Sequence, residues 1–141
     1  MMRKLNLFLL LSFLGWSGCS EDSAPSENTP TVHHSLTARD GYEVTYKPNP
    51  NPIPLNDHFA LEITVTSADK SELPANLIIE VDADMPTHKH GINTVPTIRS
   101  IGKGQFLAEG LLFHMAGDWE IYIDVIRGPV RERATFPMTL K

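Results

Sequence analysis

Cysteine is nearly missing from this chain: Cys19 is the only one in 141 residues. A lone cysteine cannot close an internal disulfide, so the fold must hold by packing alone. It is also far in sequence from every other soft donor, which argues against a thiolate metal ligand. Basic charge is short, with 12 Lys and Arg against 17 Asp and Glu, a net charge of −5. An acidic balance of this kind repels nucleic acid and anionic membrane surfaces. There is no glycine-rich phosphate loop, no aromatic platform for bases, no internal repeat and no convincing amphipathic helix. No serine sits in a recognisable nucleophile elbow, and no thiol stands beside a base.

Long apolar runs are lacking as well. Leu7 to Leu14 is apolar but falls short of the about 20 residues that a membrane-spanning helix needs. With Arg3 and Lys4 before it and Ser17-Gly18-Cys19 after it, the segment resembles a bacterial lipoprotein signal. Trp16 stands where such signals prefer Leu. The resemblance implies that residues 1–18 are removed, and that Cys19 carries lipid, palmitate included, as the first mature residue. The domain would then be lipid-anchored in the bacterial cell envelope, facing the periplasm from the outer membrane. The alternative is an incidental thiol, or a secretory peptide cut nearby. Removing residues 1–18 takes away two of the 12 basic residues and none of the 17 acidic ones, leaving −7. Ser20 to Thr31 is rich in Ser, Glu, Asp, Asn and Pro, so residues 19–36 read as a disordered tether. His33-His34, at its end, reads as a solvated pair.

Residues 37–141 have the length of one domain and the periodicity of strands. Tyr42 to Tyr46 alternates, as does Phe59 to Thr66, and Leu77 to Val81 is a β-branched core run. Thr97 to Ile101, Gln105 to Ala108, Trp119 to Val125 and Val130 to Leu140 complete the set. Trp119, Ile121, Ile123 and Val125 share one face, with Glu120, Tyr122 and Asp124 on the other, as in an antiparallel strand with one wet face. Turn chemistry separates the runs, as in Gly102-Lys103-Gly104 and Arg127-Gly128-Pro129. The pattern predicts an all-β fold: a seven-stranded Greek-key sandwich of immunoglobulin-like type. Pro74, Pro96 and Pro137 should lie at strand starts, edges or bulges. The Pro/Asn segment Lys47 to Pro54 should be a rigid crossover.

Within that domain, Asp84-Met85-Pro86-Thr87-His88-Lys89-His90-Gly91 and His114-Met115 concentrate imidazoles and thioethers. Those two soft, neutral donors suit copper, whereas thioethers add little for zinc, calcium or magnesium. In an extended segment His88 and His90 would share a face with α-carbons about 6.5 Å apart, close enough to converge on one ion. Pro86 restricts Met85 to an extended backbone, and Gly91 permits a sharp turn after the pair. His114-Met115 falls in a loop just before the Trp119 strand, and loops of a Greek-key sandwich cluster at two ends. The two segments are thus expected to meet, with Met85, His88, His90, His114 and Met115 as metal ligands. The alternatives are a solvated His-x-His pair, a packing histidine beneath Trp119 and a gap-filling methionine.

The same residues carry a family resemblance. Met85-Pro86-Thr87-His88-Lys89-His90-Gly91, Pro96, Gly102-Lys103-Gly104-Gln105-Phe106, Gly110, Phe113-His114-Met115 and Gly117-Asp118-Trp119-Glu120-Ile121 look like the YtkA-like domain family. The match runs from about Ala60 to Val125. It implies an extracytoplasmic β-sandwich associated with copper handling or respiratory-oxidase maturation. Lys89 departs from the small residue common in that family, and the alternation predicts that it points into water.

Three functions follow. The first is a membrane-anchored copper carrier or buffer, with a metal ion as cargo, an envelope or respiratory-oxidase protein as partner, and no nucleic acid. The second is a metal-free interaction module of the cell envelope. The third is a metal-dependent enzyme, which would need an open coordination position and a placed acid or base; Asp82, Asp84 and Asp118 are nearby but need only be solvated. The expectation is the copper protein, without catalysis. Its affinity should fall as the imidazoles protonate, because only neutral rings bind.

Overall fold

The alternation of buried and exposed residues forms strands throughout a computed structural model that describes residues 32–37, 39 and 41–141. The expected leader and the expected lipid site Cys19 lie outside the described residues. Nine strands form: β1 (His33–Leu36), β2 (Tyr42–Asn49), β3 (His58–Ser67), β4 (Ile78–Met85), β5 (His90–Gly91), β6 (Thr97–Gly102), β7 (Gln105–Leu112), β8 (Gly117–Arg127) and β9 (Val130–Leu140). One sheet has the order β1-β2-β3-β7-β6 and the other β5-β4-β8-β9, with every pairing antiparallel. β2-β3-β7-β6 against β4-β8-β9 is the four-on-three arrangement of an immunoglobulin-like sandwich. No helix among the described residues is long and apolar enough to cross a membrane.

The core is the meeting of two inner faces. From β8 come Trp119, Ile121, Ile123 and Val125, all at most 1 % exposed, and from β3 come Phe59, Leu61, Ile63 and Val65. β4 adds Ile79, Val81, Ala83 and Met85. In β7 the register slips once: Phe59 faces Leu111 and Ala60 faces Glu109, so Gly110 is the extra residue of a bulge. Its φ of +86° suits glycine, and the bulge returns Leu111 to the inner face.

Two of the nine strands lie outside the expected seven. β1 occupies part of the segment read as tether, so residues 33–36 belong to the sheet. It pairs with β2 from His33↔Tyr46 to Leu36↔Glu43, and His33 stacks on Tyr46 with ring centres 4.5 Å apart. His34 bonds Glu43 at 2.8 Å. The expected solvated pair is therefore two edge-strand residues with partners. β5 is only two residues long and forms inside the histidine motif. The Lys47 to Pro54 segment is not a crossover: β2 continues through Asn49, paired with Ala60, and the segment turns directly into its neighbour β3. Pro137 lies within β9, an edge strand, and Pro96 immediately precedes β6.

Candidate metal centre

Antiparallel pairing decides which side chains meet. β4, β2, β7 and β9 finish at the same end of the sandwich at which β1, β3, β5 and β8 begin. Met85 closes β4 directly opposite His90 of β5, and opposed residues share a face. Met85 is fully buried. Its methyl lies where β8 starts, so that a Cβ placed on Gly117 would stand 2.9 Å from Cε, and Gly117 has φ +129°.

Between β4 and β5 the chain is not extended. The N–H groups of His88 and Lys89 both donate to the Met85 carbonyl, each at 2.9 Å, and Lys89 takes φ 56°. The shared-face reasoning for His88 and His90 therefore fails, because Pro86–Lys89 is a tight turn. The rings nevertheless lie near each other, with centres 5.9 Å apart, His88 exposed and His90 half-buried. Gly91 does not make the turn. It sits in β5, where a Cβ would come within 2.9 Å of the Ala83 carbonyl. Lys89 is exposed as expected, but through its place in the turn and not through alternation along a strand.

His114 is held from both sides. Before it, Phe113 is fully buried and stacks on Trp119 at 4.4 Å, and its carbonyl accepts the Asn56 N–H at 2.8 Å. After it, the Met115 carbonyl accepts the Trp119 indole N–H at 2.9 Å. The His114 ring then lies 5.1 Å from that of His90, and each is edge-on to Trp119, at 5.8 and 5.9 Å. The Met115 side chain is 38 % exposed at the rim.

The Nδ1 atoms of both His90 and His114 are buried without a hydrogen-bond partner among the described residues. A buried imidazole nitrogen left unpaired is costly and is the atom that a soft cation would satisfy. A nitrogen ligand stands about 2.0–2.1 Å from its ion, which puts the ion roughly 3.2 Å from the ring centre and limits two ligating rings to roughly 6.4 Å between centres. His90–His114 and His88–His90 both meet that limit. Among the described residues, no three His, Cys, Asp or Glu side chains stand ready to hold an ion together. The residues thus fit a soft two-nitrogen centre with a thioether beside it, not a closed three-ligand cage. The carboxylates stand apart. Asp82 accepts the N–H of Ala83 at 2.8 Å, Asp118 accepts the Thr139 hydroxyl at 2.7 Å, and Asp82 and Asp84 alternate with the inward residues of β4.

Sequence reasoning passed over Trp119 as the floor of the site, although its position on the inward face was legible. It also passed over the ion network on the outer face of β8. There Asp124 accepts Arg131 at 2.7 Å and Arg133 through two bonds of 2.8 and 2.9 Å, with Arg133 also lying over the Tyr122 ring. Burial alone would raise the Asp124 pKa, but the Arg133 and Arg131 hydrogen bonds outweigh it and hold the carboxyl below its ordinary range.

No family model matches the chain, and no curated protein matches it. A solved structure similar to it is that of a DUF4426 family protein from Pseudomonas aeruginosa PAO1. The two are 15 % identical over 75 % of this chain and 94 % of that one, with a TM-score of 0.48. The chain has the architecture of a small β-sandwich.

Proposed function

We propose that this chain is a copper-binding lipoprotein of the cell envelope, of YtkA-like type, that carries or buffers cuprous ion. The observation that supports it best is the His90–His114 pair, with ring centres 5.1 Å apart and both Nδ1 atoms buried and partnerless. Met85, opposite His90, and Met115, at the rim, supply the thioether that favours copper over zinc. His88, exposed on its turn, is the exchangeable ligand through which an ion enters and leaves. A carrier rather than an enzyme suits a site whose neighbouring carboxylates have other partners or alternate outward. Cys19 would hold the domain on the periplasmic face of the outer membrane, within reach of an envelope or respiratory-oxidase partner.

The edge-on packing of both imidazoles on Trp119 favours a second reading, in which they are aromatic filler in a metal-free interaction module. Anaerobic titration of the full chain with cuprous ion against a chromophoric chelator separates the two. Copper binding should be retained over zinc and weakened at least about tenfold by His90→Ala or His114→Ala, the loss expected when a ligand's surroundings are disturbed. Equal retention of zinc, or indifference to both substitutions, would leave the interaction module in front.

A further inference from the structure

All six histidines of the chain, His33, His34, His58, His88, His90 and His114, lie at one end of the sandwich. The register requires it: His33 opens β1 opposite Tyr46 near the end of β2, and His58 opens β3 opposite Leu112 at the end of β7. The three methionines among the described residues, Met85, Met115 and Met138, lie at the same end. Only part of this set belongs to the centre built on His90 and His114.

Met138 faces Trp119 across the β8–β9 ladder, on the side of the indole strand away from β4. It lines two neighbouring grooves. One, of about 490 Å³, runs past Trp119 and the Pro86-Thr87 turn that leads to His88. The other, of about 580 Å³, is lined by His33, Tyr46, Pro52, Ile53 and Leu140. In that second groove the His33 ring lies flat on Tyr46, at 9° between planes, and no hydrogen bond reaches its nitrogens among the described residues. The groove brings an imidazole and a thioether together, the donor pair that selects cuprous ion.

We propose that His33 and Met138 form a second cuprous station, and that Met138 links it to the His90–His114 centre. This rests on the copper reading above. The ion passes by ligand exchange: one neutral donor replaces another, copper stays cuprous, and no proton or electron moves. A station on either side of Trp119 gives a carrier separate places for receiving and delivering its cargo.

The test is the stoichiometry of cuprous ion on the full chain, titrated anaerobically against a chromophoric chelator. A Trp16→Phe background leaves Trp119 as the sole indole, whose quenching reports the His90–His114 centre. The chain should take two equivalents. Met138→Leu, which keeps the volume, and His33→Phe, which keeps the stacking on Tyr46, should each leave one equivalent with quenching intact. His90→Ala should instead remove the quenching equivalent. One equivalent in the unsubstituted chain, with quenching, would overturn the second station and leave the copper function standing. Two equivalents surviving in both Met138→Leu and His33→Phe would also overturn it. No binding at all would overturn station and function together.

Discussion

Trp119→Phe tests the claim that the indole organises this end of the molecule. The side chain is 1 % exposed, stacks on Phe113, carries both imidazoles edge-on and bonds the Met115 carbonyl. Losing the indole N–H bond costs about 1 kcal/mol net. The weakened aromatic contacts add about 0.5–1.5 kcal/mol, and the space left by the smaller ring about another 1 kcal/mol. The sum is about 3 kcal/mol, or roughly a 14 °C fall in Tm for a domain of this size. Urea unfolding of the full chain, followed by far-ultraviolet circular dichroism, would measure it. The Met115 carbonyl would turn to water, and with it the clamp that holds His114 against His90. Cuprous affinity should therefore fall although no ligand has been touched. A loss under about 1 kcal/mol, or full destabilisation with unchanged cuprous affinity, would refute the role given to Trp119.

Three further outcomes are expected. Asp124→Asn removes a buried carboxylate from two half-exposed arginines, and should cost about 2 kcal/mol, less than the 3–5 kcal/mol of a fully buried pair because water re-solvates the guanidinium groups. Since the folded carboxyl is held below its unfolded value, that stabilisation is present above about pH 4 and lost as the pH falls through the folded pKa; thermal melts of both proteins at pH 7 and pH 3 should show the gap closing, and a constant gap would count against it. Gly117→Ala places a Cβ against Met85 at a φ of +129° and should cost about 1–3 kcal/mol, read by the same melts, with a Tm equal to that of the unsubstituted chain as the contrary result. Cys19→Ala should release the chain from membranes or leave the precursor uncut, and a substituted protein that fractionates with membranes at its mature mass would contradict the lipid anchor.

Most of the fold was legible because a half-buried strand writes its inward face at every second position. Trp119, Ile121, Ile123 and Val125 alternate in the sequence and are buried together in the structure. What stayed hidden has a different cause in each case. β1 is four mostly polar residues on an edge, and the residue after it is tied to a distant strand: Thr37 donates to Glu132, and its backbone bridges to Ala134. No local pattern encodes a contact 95 residues away. β5 is too short to have a period at all. The Asp124 network needs the β8–β9 register, which sets Asp124 opposite Arg133 once the turn at Gly128-Pro129 is placed; the charges were visible but their pairing was not.

The candidate site was reached by one sound inference and one unsound one. Topology brought the loops after β4 and before β8 to a common end, and the structure sets His114 beside His90 there. The His-x-His spacing was read on an extended backbone, yet Met85 accepts two N–H bonds and Lys89 turns left-handed, so His88 and His90 leave a turn in different environments. Spacing rules assume a backbone state, and Pro86 begins a turn here instead of continuing the strand. The distinction has a chemical consequence. Two ligands fixed on one strand would make a rigid pair, whereas in the proposed centre a half-buried His90 would be an inner donor and an exposed His88 an outer one. That asymmetry would let the proposed centre hold an ion and still hand it on, and it follows from the turn that the spacing argument missed.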